Sequence, residues 1–245
     1  MQLTHAQKEH IREHGYVKVP GAVPKLMVDQ AVRAINHSLG QEGMDPAQMT
    51  KFRAQSYCPE VQRQPAITDL FNRTPVIDLV RSVLGEENVR PAGSGQIALR
   101  FPTLQDPVGE ARPHLDGMYS PHNGVKEGTI SNFTMLVGIA LSDLPGPYAG
   151  NLAVWPGSHR KYEAFFQEHG PEALLKGMPP LDIGPPTHIT AQAGDALLCH
   201  YQLAHGVAPN ASPNVRYAIY FRVTSAARTD WQTPMKSIWH EWPGM

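Results

Sequence analysis

His114 and Asp116 stand one residue apart in Arg112-Pro113-His114-Leu115-Asp116-Gly117. On extended backbone, positions two apart share a face, so an imidazole and a carboxylate converge while Leu115 points the other way. One more histidine would complete a set of two histidines and one carboxylate on a single face of an octahedron. That set leaves three positions open and suits non-haem iron(II) working with O2. A bare His-x-Asp is a short string that chance often produces, so the third ligand carries much of the weight. Two histidines compete for it. His200 ends the apolar run Ala196-Leu197-Leu198-Cys199 and reads as a partly buried histidine satisfied by a backbone carbonyl. His205, in Leu203-Ala204-His205-Gly206 ahead of the turn-rich Pro209-Asn210-Ala211-Ser212-Pro213, is favoured because a turn edge beside glycine leaves room for a metal.

An arginine follows. In the apolar stretch from Val215 to Thr224, Arg216, Ala218, Tyr220 and Arg222 share one face by parity. A lone arginine inside such a strand is costly unless it meets an anion; the plain alternative is an Arg216 at the strand end in solvent. Arg222 lies roughly 20 Å further along at ~3.3 Å per residue. Only one of the two is expected to serve the metal pocket, and Arg216 is preferred as nearer to His205.

Other groups invite simpler readings. His10-Ile11-Arg12-Glu13-His14 spells the string of inverted zinc proteases, but Gly15 stops the helix at once, which leaves solvated helix polarity. His122 reads as a loop residue over the pocket, His159 as a turn-fixing histidine and Cys199 as a small core hydrophobe. Trp231, Trp239 and Trp242 suit either a tail packed on the body or a subunit contact.

The elements that position these groups fall into two textures. The first third is helical: Thr4 caps a helix to His14, Pro24 to Leu39 carries one broad apolar face, and Ala66 to Leu84 is broken at Thr74-Pro75 and ended by Gly85. Tyr16-Val17-Lys18-Val19 alternates like a strand, and the polar stretch 41–64 reads as loop. From about Gly95 the texture is β: Gln96 to Phe101, Phe133 to Leu141, Asn151 to Trp155, His188 to Thr190, Ala196 to Cys199 and Val215 to Thr224, separated by Gly, Pro and Asp turns. Helices first and strands after argue against a doubly wound sheet and for a barrel or sandwich. One domain over 1–245 is expected, helical to about 90 and β from about 91 to 226.

Composition narrows the class of function. With 41% hydrophobic and 18% charged residues and a net charge of -1, the chain has no electrostatic pull toward nucleic acid or anionic lipid. No apolar run reaches 18 residues, and the opening residues lack the apolar middle of a signal peptide. Two distant cysteines, Cys58 and Cys199, suit a reducing cytoplasm.

Taken together, these residues resemble the phytanoyl-CoA dioxygenase family of Fe(II)/2-oxoglutarate oxygenases, nearly end to end. His14-Gly15-Tyr16-Val17 through Val19-Pro20-Gly21 is similar to the family's opening, Pro113 to Gly117 to its proximal ligand pair, Asn151 to His159 to its turn segment, and Ala193-Gly194-Asp195 through His205-Gly206 to its distal segment. The spacing from His205 to Arg216 is also the family's. The resemblance implies a mainly β, double-stranded β-helix (jelly-roll, cupin-like) with an N-terminal helical layer. It implies Fe(II) on His114, Asp116 and His205, and Arg216 on the distal carboxylate of 2-oxoglutarate, with Gln96, Arg100 and Thr134 as further cosubstrate candidates. Val207 stands where many relatives carry a serine. The implied reaction uses O2 and 2-oxoglutarate, releases succinate and CO2, and hydroxylates a small molecule; Asp116 stands where related halogenases carry a small residue. Desaturation, ring chemistry or a catalytically silent binding protein are the alternatives. No CoA-phosphate cluster is evident, and the segment 117–131 is long enough to act as a lid.

Overall fold

The computed structural model describes all 245 residues. The first helix, α1 (His5–His14), is set by a capping box: the Thr4 hydroxyl accepts from the Gln7 amide and the Gln7 side chain accepts from the Thr4 amide. Strand β1 (Tyr16–Val19) follows, then α2 (Lys25–Glu42), α3 (Met49–Ala54), α4 (Pro65–Asn72) and α5 (Pro75–Leu84). Prolines begin α4 and α5, where the missing N–H has no intrahelical partner to lose. The stretch 41–64, expected to be loop, holds the short α3 and a 3-10 turn at Pro46–Gln48. None of the residues in these two pieces is fully buried, so no apolar periodicity marks them.

Seven further strands run β2 (Gln96–Arg100), β3 (Met135–Ala140), β4 (Leu152–Val154), β5 (Thr187–His188), β6 (Ala196–His200), β7 (His205–Val207) and β8 (Arg216–Val223), with α6 (Ser158–His169) after β4 and α7 (Thr233–Lys236) near the end. They form a five-stranded sheet ordered β1-β6-β3-β8-β2 and a three-stranded sheet ordered β5-β4-β7, antiparallel throughout. The expectation "mainly β" needs correction, since helix makes up 33% of the chain and strand 17%. The cause is partly α6, which the sequence concealed: two of its four buried positions are Ser158 and His159, so its inward stripe does not read as apolar.

Period-two alternation assigns the faces of the large sheet. Val137, Ile139, Leu198, Ile219 and Phe221 turn outward into a core shared with α1, α2, α4 and α5, where Phe71 meets Phe221 with ring centroids 5.3 Å apart. Each fully buried side chain of this kind contributes ~1.5–3 kcal/mol, so the helical layer holds the sheet rigidly from behind. Leu136, Leu197 and Cys199 turn the other way and pack with Leu152, Ala153 and Val154 of the small sheet. The two sheets thus face each other, and β8 presents Arg216, Ala218, Tyr220 and Arg222 to the space between them.

Candidate metal centre

His114, Asp116 and His205 come together, with one ligand atom from each lying within 4.8 Å of the others. The backbone makes this meeting obligatory. His114 and His205 form an antiparallel bridge, each amide donating to the other's carbonyl at 2.9 and 3.1 Å. Gly206 permits the approach: a Cβ there would lie 2.3 Å from the Arg112 carbonyl oxygen. Gly117 turns the chain away after Asp116 at φ +90°, and a Cβ there would strike the Ser131 carbonyl oxygen at 2.6 Å. The Ser131 amide closes the loop base on the Gly117 carbonyl, so segment 117–131 leaves and returns at the ligand pair. His114 is joined by this single bridge rather than by a regular strand, and the same-face argument holds only locally.

The imidazoles of His114 and His205 stand 4.5 Å apart, and their Nε2 atoms lie 3.5 and 3.9 Å from Asp116 Oδ1. His205 Nδ1 lies 3.0 Å from the Leu203 carbonyl; donating there leaves the Nε2 lone pair facing the cluster. Burial is the main force on His205, with the His114 charge adding to it; together they push its pKa down to about 4 despite Asp116. Burial alone would raise the Asp116 pKa, but the Arg222 guanidinium and the two imidazoles outweigh it and hold the carboxyl below its usual range. A neutral, oriented imidazole and an ionised carboxylate are the forms a divalent metal requires, so the donor set fits one.

Arg222, which sequence reasoning set apart from the pocket, lies in the cluster. Its Nε and Nη2 reach Asp116 Oδ2 at 3.0 and 2.9 Å. Its Nη1 donates to Gln96 Oε1 at 2.7 Å, which brings Gln96 to the same place. Strand parity had both arginines on the inner face; what it could not give was the path of the chain through Asp116, which meets the Arg222 end.

Arg216 lies at the other end of that face, 3% exposed. Nε donates to the Gly150 carbonyl at 2.8 Å and Nη1 to the Ala98 carbonyl at 3.1 Å, and no carboxylate pairs with it. Arg100 is its direct cross-strand partner, with a buried Nε that has no hydrogen-bond partner. Burial and the Arg216 charge push the Arg100 pKa down. The cavity here is lined by Arg216, Tyr220, Lys18, Leu152 and Leu197 among others. Tyr220 is the residue sequence reasoning passed over: burial raises its pKa, and Arg216, Arg100 and Arg222 all act on it.

Thr134 is not brought to the cluster. Its hydroxyl bonds the Glu241 carboxylate and accepts from the Ser225 amide, inside a buried knot with Arg228. His200 is satisfied by backbone, with Nε2 on the Ile238 carbonyl and Nδ1 accepting from the Gln202 amide. His159 bonds the Arg12 carbonyl. The rings of His10 and His14 lie 4.4 Å apart, but His114, Asp116 and His205 are the one group of three or more potential ligands. Trp239 and Trp242 pack against His200, so this part of the tail folds back on the body. Cys58 and Cys199 are unlinked and buried. No helix is long and apolar enough to cross a membrane.

The fold is shared with proteins of known structure. Among solved structures, the non-heme alpha ketoglutarate dependent carbocyclase SnoK from nogalamycin biosynthesis is similar at 21% identity and TM-score 0.58, over 89% of this chain and 82% of its own. HygX from Streptomyces hygroscopicus, solved with nickel and 2-oxoglutarate bound, is similar at 18% identity and TM-score 0.59, over 95% and 91%. EctD from S. alaskensis is similar at 18% identity and TM-score 0.57, over 89% and 75%. At these identities the likeness is one of fold. No curated protein matches the sequence. The phytanoyl-CoA dioxygenase (PhyH) profile matches residues 11–218, most of the length, and the chain belongs to that family.

Proposed function

We propose that this chain hydroxylates a small molecule with O2 and 2-oxoglutarate, releasing succinate and CO2, at an iron(II) held by His114, Asp116 and His205. The observation that carries the reading is the inner face of β8. One end, Arg222, touches the three-ligand cluster, and the other, Arg216, is a buried guanidinium without an acidic partner. Iron, when bound, supplies O2 activation; the remaining work belongs to the chain. His205 is held in one tautomer by the Leu203 carbonyl. Arg216 receives the distal carboxylate of 2-oxoglutarate with the donors its carbonyl partners leave free, relieving the like-charge contact with Arg100. Between the two arginines, in a double-stranded β-helix, Tyr220 lines the cavity beside Arg216, and its cross-strand partner Gln96 bonds Arg222. Segment 117–131 borders the ligands, with the His114 side chain 44% exposed, and the Gln55 side chain ties the segment to the end of α3 through the His122 carbonyl at 2.8 Å. Asp116 in the carboxylate position favours hydroxylation over halogenation.

The test is anaerobic addition of Fe(II) and 2-oxoglutarate, followed by O2. A visible charge-transfer band and then succinate are expected. Arg216→Ala should weaken 2-oxoglutarate binding at least ~100-fold, since loss of two charge-assisted hydrogen bonds at ~1.5–3 kcal/mol each amounts to ~3 kcal/mol or more. No band in the intact protein, or a band unchanged by Arg216→Ala, would overturn the assignment.

A further inference from the structure

Arg222 has no part in the reading above beyond its contact with Asp116, yet the details of that contact are specific. The Nε–H of the guanidinium donates to one oxygen of Asp116, Oδ2, at 3.0 Å, and the charged Nη2 lies 2.9 Å from the same oxygen. The other oxygen, Oδ1, is the one facing His114 and His205. The guanidinium is itself anchored by Gln96 through Nη1 and lies 5.7 Å from the centroid of the Phe133 ring. No other group donates to the Asp116 carboxylate outside this arginine and the histidines. The Asp116 side chain is 14% exposed and the Arg222 side chain 41%, so the pair is sheltered on its carboxylate side and open to water on its arginine side.

A carboxylate can bind a divalent metal through one oxygen or both. With one oxygen, two histidines and Asp116 fill three of six octahedral positions, leaving three; with both oxygens they fill four, leaving two. A 2-oxo acid that chelates the metal takes two positions and O2 needs a third. We propose that Arg222 is a positioning residue that restricts Asp116 to a single metal-facing oxygen and so keeps the third position open. The inference rests on the metal-centre reading above and adds to it a group outside the ligand set.

The test uses Mn2+ as a silent, water-reporting metal on the intact protein. Water-proton relaxivity of the Mn2+-loaded chain counts open positions before any cosubstrate is added, and titration with 2-oxoglutarate then reads what the open positions accept. For Arg222→Met the expected results are Mn2+ and 2-oxoglutarate affinities each within about threefold of the intact protein, relaxivity lower by about a third before 2-oxoglutarate, and loss of the remaining water signal once 2-oxoglutarate is bound, where the intact protein keeps it. Arg222→Lys, which can direct only one point donor at Oδ2, should fall between. Unchanged relaxivity in Arg222→Met overturns the proposal, as does loss of Mn2+ binding in step with 2-oxoglutarate, which would mark a merely structural arginine. Should Arg222→Met not fold by circular dichroism, Gln96→Leu removes the anchor alone and must lower relaxivity in the same direction; no change there overturns the proposal. If the intact chain binds neither Mn2+ nor 2-oxoglutarate, the proposed function fails instead.

Discussion

His200 and His205 are five residues apart, both buried and both pushed down to about 4, mainly by burial. They nevertheless sit in opposite chemical situations. His200 has backbone partners on both ring nitrogens, the Ile238 carbonyl and the Gln202 amide, and stacks on Trp242 at 5.3 Å between centroids. His205 uses one nitrogen for the Leu203 carbonyl and turns the other to Asp116. Burial and a low pKa are therefore common to a structural histidine and a candidate ligand. What separates them is whether a nitrogen remains free, and whether a carboxylate and a second imidazole face it.

Paired substitutions break this comparison most sharply. His205→Ala should lower Fe(II) or Co(II) affinity by at least about 100-fold, since it removes one of three ligands. His200→Ala should leave that affinity unchanged per folded molecule but cost ~3–5 kcal/mol of stability in urea unfolding. It strands the Ile238 carbonyl and the Gln202 amide and opens a void beside two tryptophans. A metal defect in His200→Ala that tracks its folded fraction would preserve the distinction; one beyond it would erase it.

A smaller effect comes from pH. His159 and His200 have folded pKa values pushed by burial to about 3 and about 4, below the ordinary 6.5. The unfolded chain takes up these protons first. Their stabilisation is thus complete above pH ~6.5 and lost as pH falls toward the folded values, at ~1.4 kcal/mol per pH unit for each histidine. Buried His205, also pushed down to about 4, adds a third such contribution, so unfolding free energies at stepped pH should show the combined slope and His159→Gln should remove about a third of it. Stability flat between pH 6.5 and 4 would mean that these rings are not held neutral.

The smallest expected change is at Val207, two residues beyond His205 on β7 and on the same side by parity. Val207→Ser adds a hydroxyl where the family resemblance implies one. It should tighten 2-oxoglutarate binding by roughly fivefold, the worth of one hydrogen bond of ~1 kcal/mol. Weaker binding would mean that Val207 contributes by packing rather than by lacking a donor.

Much of the fold was legible because local rules were obeyed locally. The capping box at Thr4, the prolines opening α4 and α5, and the alternation in β2 and β8 all match what those residues prefer. The misses have physical causes. Helix α6 buries a serine and a histidine in its inward stripe, α3 buries no residue fully, and β7 is three residues long with glycine at its centre. Thr134 fitted a cosubstrate role by its place before β3, but Glu241, 107 residues away, claims its hydroxyl.

The sequence alone brought out the side chains that converge, His114 and Asp116 through their spacing and His205 beside its glycine, and the parity that puts Arg216 and Arg222 on one face. These follow from period-two geometry and residue chemistry, which depend only on near neighbours. Only the tertiary structure decided which end of β8 meets the metal centre, that Arg222 rather than Arg216 grips Asp116, and that His200 is closed off by Ile238. Those contacts join residues 38 to 106 positions apart, and their geometry is set by how the sheets pack, a property of the whole chain.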